Sequence, residues 1–170
     1  LYEHTNETRY LDFAKYIVEQ WEIPGGPQLI SKALTGVDVA DRFPHPKEWW
    51  SWENGQKAYE MMSCYQGLLE LYKVTRTENY LKAVEAVTQN IIDQEINIAG
   101  SGSAFECWYH GQQYQAEPTY HMMETCVTTT WMKLCQTLLR LTHQTKYADI
   151  LENTLYNAYL ASIDHDGSSF

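Results

Sequence analysis

The chain has 170 residues, 44% of them hydrophobic, which suits one domain with its own core. A formal net charge of -10, with no cluster of lysine or arginine, argues against nucleic acid and anionic membrane surfaces as partners. No apolar run approaches the length of a membrane span, and the four cysteines (Cys64, Cys107, Cys126, Cys135) show no C-x-x-C pattern and no disulfide framework.

Leu1 to Thr5 reads as the last turn of a helix, and Asp164 to Phe170 as a turn with nothing after it. Both ends therefore look cut, and the first residues do not read as a signal peptide. A helix is expected over Thr8 to Trp21, with Tyr10, Leu11, Phe13, Ala14, Ile17 and Val18 as its apolar stripe. Ile23-Pro24-Gly25-Gly26-Pro27 breaks it. Gln28 to Glu53 is mostly loop, with a short helix near Leu29 to Leu34. A second long helix is expected over Gly55 to Lys73, with Ala58, Met61, Met62, Tyr65, Leu68, Leu69 and Tyr72 facing inward. A third covers Glu78 to Gln94. Ile96 to Pro118 is irregular, with room for one short strand; a fourth helix follows over Tyr120 to Leu141 and a fifth over Lys146 to Ile163.

The helices repeat. Thr5 precedes Tyr10, Thr75 precedes Tyr80 and Thr142 precedes Tyr147, each by five residues, in copies about 70 residues apart. Each copy reads as a helix ending near the Thr, a short polar link, and a helix opening just before the Tyr. Repeated antiparallel helix pairs make an all-α chain, either a solenoid or part of a closed α/α toroid. The two long loops join members of successive pairs, so they are expected at one end of the bundle. Loops of more than about 15 irregular residues usually carry function.

One loop holds His45, Trp49, Trp50 and Trp52. The other holds Glu106, Cys107, Trp108, Tyr109, His110, Tyr114 and Glu117 and runs into Glu124 and Cys126. Aromatic faces with carboxylates nearby suit a carbohydrate, because sugar C–H faces stack on Trp and Tyr while a Glu moves protons. The same tryptophans could equally anchor the loops on the bundle, and His110 and His121 could be structural. A carboxylate two residues before a thiol suggests a metal site or a reactive cysteine. In a regular helix residues i and i+2 point about 200° apart, so Glu124 and Cys126 can share a ligand only where the helix has not fully formed. The other reading packs Cys126 inside as a small apolar residue.

Met123-Glu124-Thr125-Cys126, Leu134-Cys135-Gln136 with Leu139 and Leu141-Thr142, and Tyr147-Ala148 followed by Leu151-Glu152 and Thr154-Leu155-Tyr156-Asn157-Ala158 resemble glycoside hydrolase family 127, the β-L-arabinofuranosidase-like proteins. Met61 to Tyr72 also fits that family's helix pattern, and the resemblance spans most of Gly55 to Ala161. It implies part of an α/α toroid of the six-hairpin type, with the remaining toroid helices and β-rich domains outside residues 1–170. It implies a retaining glycosidase with a cysteine thiolate nucleophile, unlike the usual carboxylate pair. By the same resemblance, Glu124 and Cys126 are ligands of a zinc ion completed by two adjacent cysteines, one of them the nucleophile. Glu106 is the general acid/base, with Glu117 as the fallback. His45, Trp49, Trp52, Lys57, Trp108 and Tyr114 are the expected sugar-binding residues.

The chain departs from the family in two places. It contains no adjacent Cys-Cys, so the nucleophile and half the zinc shell are expected elsewhere in the protein, against which this chain would pack. The family's Gly-His-Ala appears here as Gly55-Gln56-Lys57-Ala58, and Lys offers different hydrogen bonds from His. The resemblance implies an oligosaccharide or polysaccharide substrate of plant type, in a secreted or periplasmic setting. Glu106 is expected to be free of a permanent Lys or Arg partner, because a tight cation lowers an acid's pKa. An inactive carbohydrate-binding or scaffold domain, or another toroid enzyme such as a lyase or epimerase, are the readings from other classes.

Overall fold

Thr5, Thr75 and Thr142 each build the same corner. In the computed structural model, which describes residues 1–43, 56–117 and 121–169, each of these hydroxyls donates back to a carbonyl four residues earlier, at 2.8–3.0 Å. Each also accepts the N–H two residues later, from Glu7, Thr77 and Gln144. The residue between is left-handed in every copy: Asn6 (φ 55°), Arg76 (φ 56°) and His143 (φ 58°). Its N–H closes the helix on the carbonyl of Tyr2, Tyr72 or Leu139. Left-handed C-caps of this kind satisfy the carbonyls that a helix end leaves open.

Around these corners the chain runs α1 (Tyr2–Thr5), α2 (Thr8–Glu22), α3 (Leu29–Leu34), one 3-10 turn (Val39–Asp41), β1 (Gln56–Lys57), α4 (Ala58–Thr75), α5 (Glu78–Gln94), β2 (Cys107–Trp108), α6 (Thr125–Thr142) and α7 (Lys146–Thr154). A single π-helical stretch, Leu155–Tyr159, extends α7. The expected helices are present. The α4 start lies three residues later than its Gly55 expectation, and the α6 start moves from Tyr120 to Thr125. The reason for the second shift is tertiary: residues 121–123 pair with residues 103–105 and so cannot be helical.

The core lies between α4, α5, α6 and α3. Met62, Tyr65, Leu68, Leu69, Ile91, Trp131, Leu134, Leu138 and Tyr147 are fully buried there. Their spacing of three and four gives one apolar face per helix. Tyr65 anchors α3 to α4: its hydroxyl donates to the Leu29 carbonyl at 2.7 Å and receives the buried Arg42 guanidinium. Glu22 caps α3, accepting the Ile30 and Ser31 amides at 2.8 and 3.1 Å. The α2 stripe departs from expectation. Val18 is buried, but Phe13 is 62% and Ile17 38% exposed, and both line an open apolar groove with Leu1, Leu71 and Val74.

The two long loops meet at the end opposite the corners. Gln56 pairs with Trp108 and Lys57 with Cys107 in an antiparallel two-stranded ladder, and Asp41 Oδ1 accepts a hydrogen bond from His110 Nε2, 2.9 Å away. Among the described residues all four cysteines are free, and no helix is long and apolar enough to cross a membrane.

Candidate active site

The segment carrying Glu106 is held on both sides. Ala58 N–H donates to the Glu106 carbonyl at 2.7 Å on the β1 side. On the other, Phe105 N–H donates to His121 and Met123 N–H to Ser103, at 3.0 and 3.2 Å. Ten described non-glycine residues are left-handed, and six of them fall here: Ser103, Phe105, Glu106, His110, His121 and Met123. Each costs roughly 1–2 kcal/mol, and such strain gathers at functional sites where surrounding contacts over-determine the backbone.

This ladder sets Glu106 beside Glu124. Lys57, Phe105, Glu106, His121 and Glu124 line one cavity of about 280 Å³, and Phe105 packs on His121 with ring centroids 5.1 Å apart. Glu124 is the N-cap of α6, in extended conformation (φ -52°, ψ 140°). The chain therefore becomes regular only after Glu124. Cys126 is exposed rather than packed in the core, and its thiol feels the charges of both Glu124 and Glu106.

The electrostatics follow from crowding two carboxylates. Burial, and then the Glu106 charge, push the Glu124 carboxyl up; the Glu106 amide, His121 and Lys57 pull it down. One of its oxygens, Oε2, is buried with no hydrogen-bond partner. Burial and then the Glu124 charge push the Cys126 thiol up, against the α6 amides of Val127 and Cys126. Glu124 Oε2 and the Cys126 thiol are groups that could hold a divalent cation, which would displace the thiol proton, although Cys126 does not line the cavity. Carboxylate and thiolate are both zinc ligands. Among the described residues no group of three or more His, Cys, Asp or Glu converges.

Several expectations need correction. Glu106 is not free of a cation: Lys57 forms an ion pair with it, and this bond is the largest cause raising the Lys57 ammonium. Lys57 thus faces the cavity through Glu106. Trp108 is 3% exposed and stands in the core, so its ring offers no free face to a sugar. Tyr114 is half-buried and stacks on Tyr109 at 6.1 Å, away from the cavity lining. Glu117 is exposed and also apart from it. His45, Trp49 and Trp52 lie outside the described residues. Sequence reasoning missed Phe105 as a lining residue and set His121 aside as structural; both are left-handed residues that meet through the pairing of 103–105 with 121–123, which the sequence does not signal.

The profile of the beta-L-arabinofuranosidase GH127 catalytic domain matches residues 1–170. The chain is 23% identical, over its full length, to the non-reducing end beta-L-arabinofuranosidase of Bifidobacterium longum subsp. longum, of which it covers 28%. Its fold is similar to that of a GH127 beta-arabinofuranosidase, with TM-score 0.66 and 25% identity over all of this chain and 25% of that one. It is similar also to the GH127 beta-L-arabinofuranosidase of Geobacillus stearothermophilus T6, with TM-score 0.69 and 21% identity over all of this chain and 28% of that one. The chain thus spans about a quarter of the length of the relatives it matches. The helix pairs joined by repeated corners are part of an α/α toroid, and the chain belongs to the GH127 β-L-arabinofuranosidase family.

Proposed function

We propose that the protein of which this chain is part is a retaining glycosidase that removes terminal β-L-arabinofuranosyl or closely related sugars from plant-type glycans. The observation that carries this is the shared cavity: Glu106 and Glu124 line one pocket of about 280 Å³ in a chain that matches the family's catalytic domain throughout. Toroid helices and β-rich domains beyond this chain would complete the molecule and supply the nucleophile.

Glu106 protonates the leaving oxygen and then takes a proton from the water that releases the sugar. Its ion pair with Lys57 is 40–50% exposed and, like most exposed pairs, worth about 0–1 kcal/mol. An entering sugar hydroxyl therefore displaces the ammonium at little cost, and Lys57 turns to hold that hydroxyl. His121 and Phe105 shape the rim. Glu124 and Cys126 would hold a zinc ion, which, when bound, lowers thiol pKa values and keeps a thiolate in place. Glu124 would offer its orphaned Oε2 and Cys126 its sulfur.

The test uses the complete protein with β-L-arabinofuranosyl oligosaccharides, reading release of free arabinose with retained anomeric configuration. Glu106→Gln should lower turnover by about 10²–10⁴-fold without altering the circular dichroism spectrum. Full activity in that variant, or no release by the wild type, would reject the assignment.

A further inference from the structure

Glu95 is a carboxylate that the site does not touch. It follows the last residue of α5, and its side chain is 0% exposed. Its Oε2 accepts the amide N–H of Tyr109 and of Gly111, each at 3.1 Å, and its Oε1 accepts that of His110 at 3.0 Å. Burying a carboxylate is costly unless hydrogen bonds replace its water, and here three backbone donors do so. Burial still pushes this carboxyl up to about 7, against the pull of those amides.

The main chain of the same residue closes the loop from behind. A Cβ at Gly102 would lie 2.8 Å from the Glu95 carbonyl oxygen, and one at Gly111 would lie 2.9 Å from it. The loop that carries Glu106 therefore leaves from Glu95 at residue 102 and returns to it at residue 111. Gln112 adds a backbone bond to Gln94 and side-chain bonds to Ile92 and Ile96. Between these ends lie Glu106 and the β2 residues that pair with Lys57.

We infer that Glu95 is a positioning residue for Glu106: its carboxylate clamps the 109–111 amides and so fixes the loop that aims Glu106 into the cavity. The inference rests on the acid/base role proposed for Glu106. Glu95 touches no substrate and transfers no proton. Replacement by Gln keeps the shape but turns an NH2 toward at least one amide donor, so at least one of the three bonds is lost. The loop then loosens while α5 stays whole.

Leaving groups separate this from plain destabilisation, because a good leaving group needs little help from a general acid. Complete wild-type and Glu95→Gln proteins would be compared on a β-L-arabinofuranosyl disaccharide and on 4-nitrophenyl β-L-arabinofuranoside. A misplacement of about 1 Å costs about 10²-fold. The expected result is a 10- to 100-fold fall in kcat on the disaccharide with KM within about threefold, and a loss of less than about threefold in kcat/KM, which reports only the step where Glu106 acts as acid, on the nitrophenyl glycoside. Amide hydrogen exchange should quicken at residues 106–111 and stay unchanged in α4 and α6. Equal losses on both substrates, no loss on either, or unchanged exchange at 106–111 would overturn the inference while wild-type activity still stands. A wild type inactive on both substrates would overturn the glycosidase assignment and this inference together.

Discussion

Gly111→Ala places one methyl group against the Glu95 clamp. Gly111 is not left-handed, so alanine meets no backbone penalty there and the cost is steric. The added Cβ would lie 2.9 Å from the Glu95 carbonyl oxygen and 3.0 and 3.1 Å from two ring carbons of Tyr109. Ordinary contact begins near 3.4 Å, so the loop must retreat by about half an ångström. Overpacking of this kind costs roughly 1–3 kcal/mol. If the retreat also breaks the Gly111 bond to Glu95, a further 1.5–3 kcal/mol is lost, the range for bonds to charged groups. Differential scanning calorimetry of the complete protein should show its toroid transition lowered. Turnover on an arabinofuranosyl disaccharide should fall about tenfold, since half an ångström is half the displacement that costs about 10²-fold. A variant with wild-type melting and wild-type turnover would refute the claim that residues 109–111 are packed tightly on the end of α5.

Glu124→Gln removes a charged candidate ligand and should weaken zinc retention by the complete protein at least 10-fold, read as metal content after dialysis against a competing chelator. Unchanged zinc would remove Glu124 from the shell. In metal-free protein the raised Cys126 thiol should be alkylated by iodoacetamide more slowly than an unperturbed thiol at pH 7, with the rate still climbing above pH 9; an alkylation midpoint below the ordinary thiol range would contradict the burial and Glu124 effects. Tyr65→Phe leaves the Leu29 carbonyl and the buried Arg42 guanidinium each one partner short, and should cost about 2–3 kcal/mol by denaturant titration. A neutral outcome would show that water reaches Arg42.

Helices were legible wherever local period decided them. α5 begins at Glu78 and ends at Gln94 as expected, because Thr77 opens it and Val84, Val87 and Ile91 mark one stripe. The start of α6 was not legible, since Tyr120 to Met123 has helical composition and only its pairing with residues 103–105 forbids the helix. Of the site, Glu106 and Glu124 could be read from the family motif. The Lys57 ion pair could not, because its partners are 49 positions apart and meet only through the β1–β2 ladder. Trp108 was misassigned because an aromatic reads the same in a core as in a pocket. Glu95 had a signal that was overlooked: it continues the buried stripe of Val84, Thr88 and Ile91 at helical spacing, and a carboxylate in phase with a core face needs dedicated donors.

The threonine corners have a further consequence for how the molecule can change. Each corner is specified by a hydroxyl and two amides within about six residues. The bend between paired helices is therefore a local constant, and any angular error in it would accumulate from hairpin to hairpin around the ring. The link between α2 and α4 runs for 35 residues, from Ile23 to Lys57. The long connections thus gather at one pole, while the corners at the other set the curvature of the toroid.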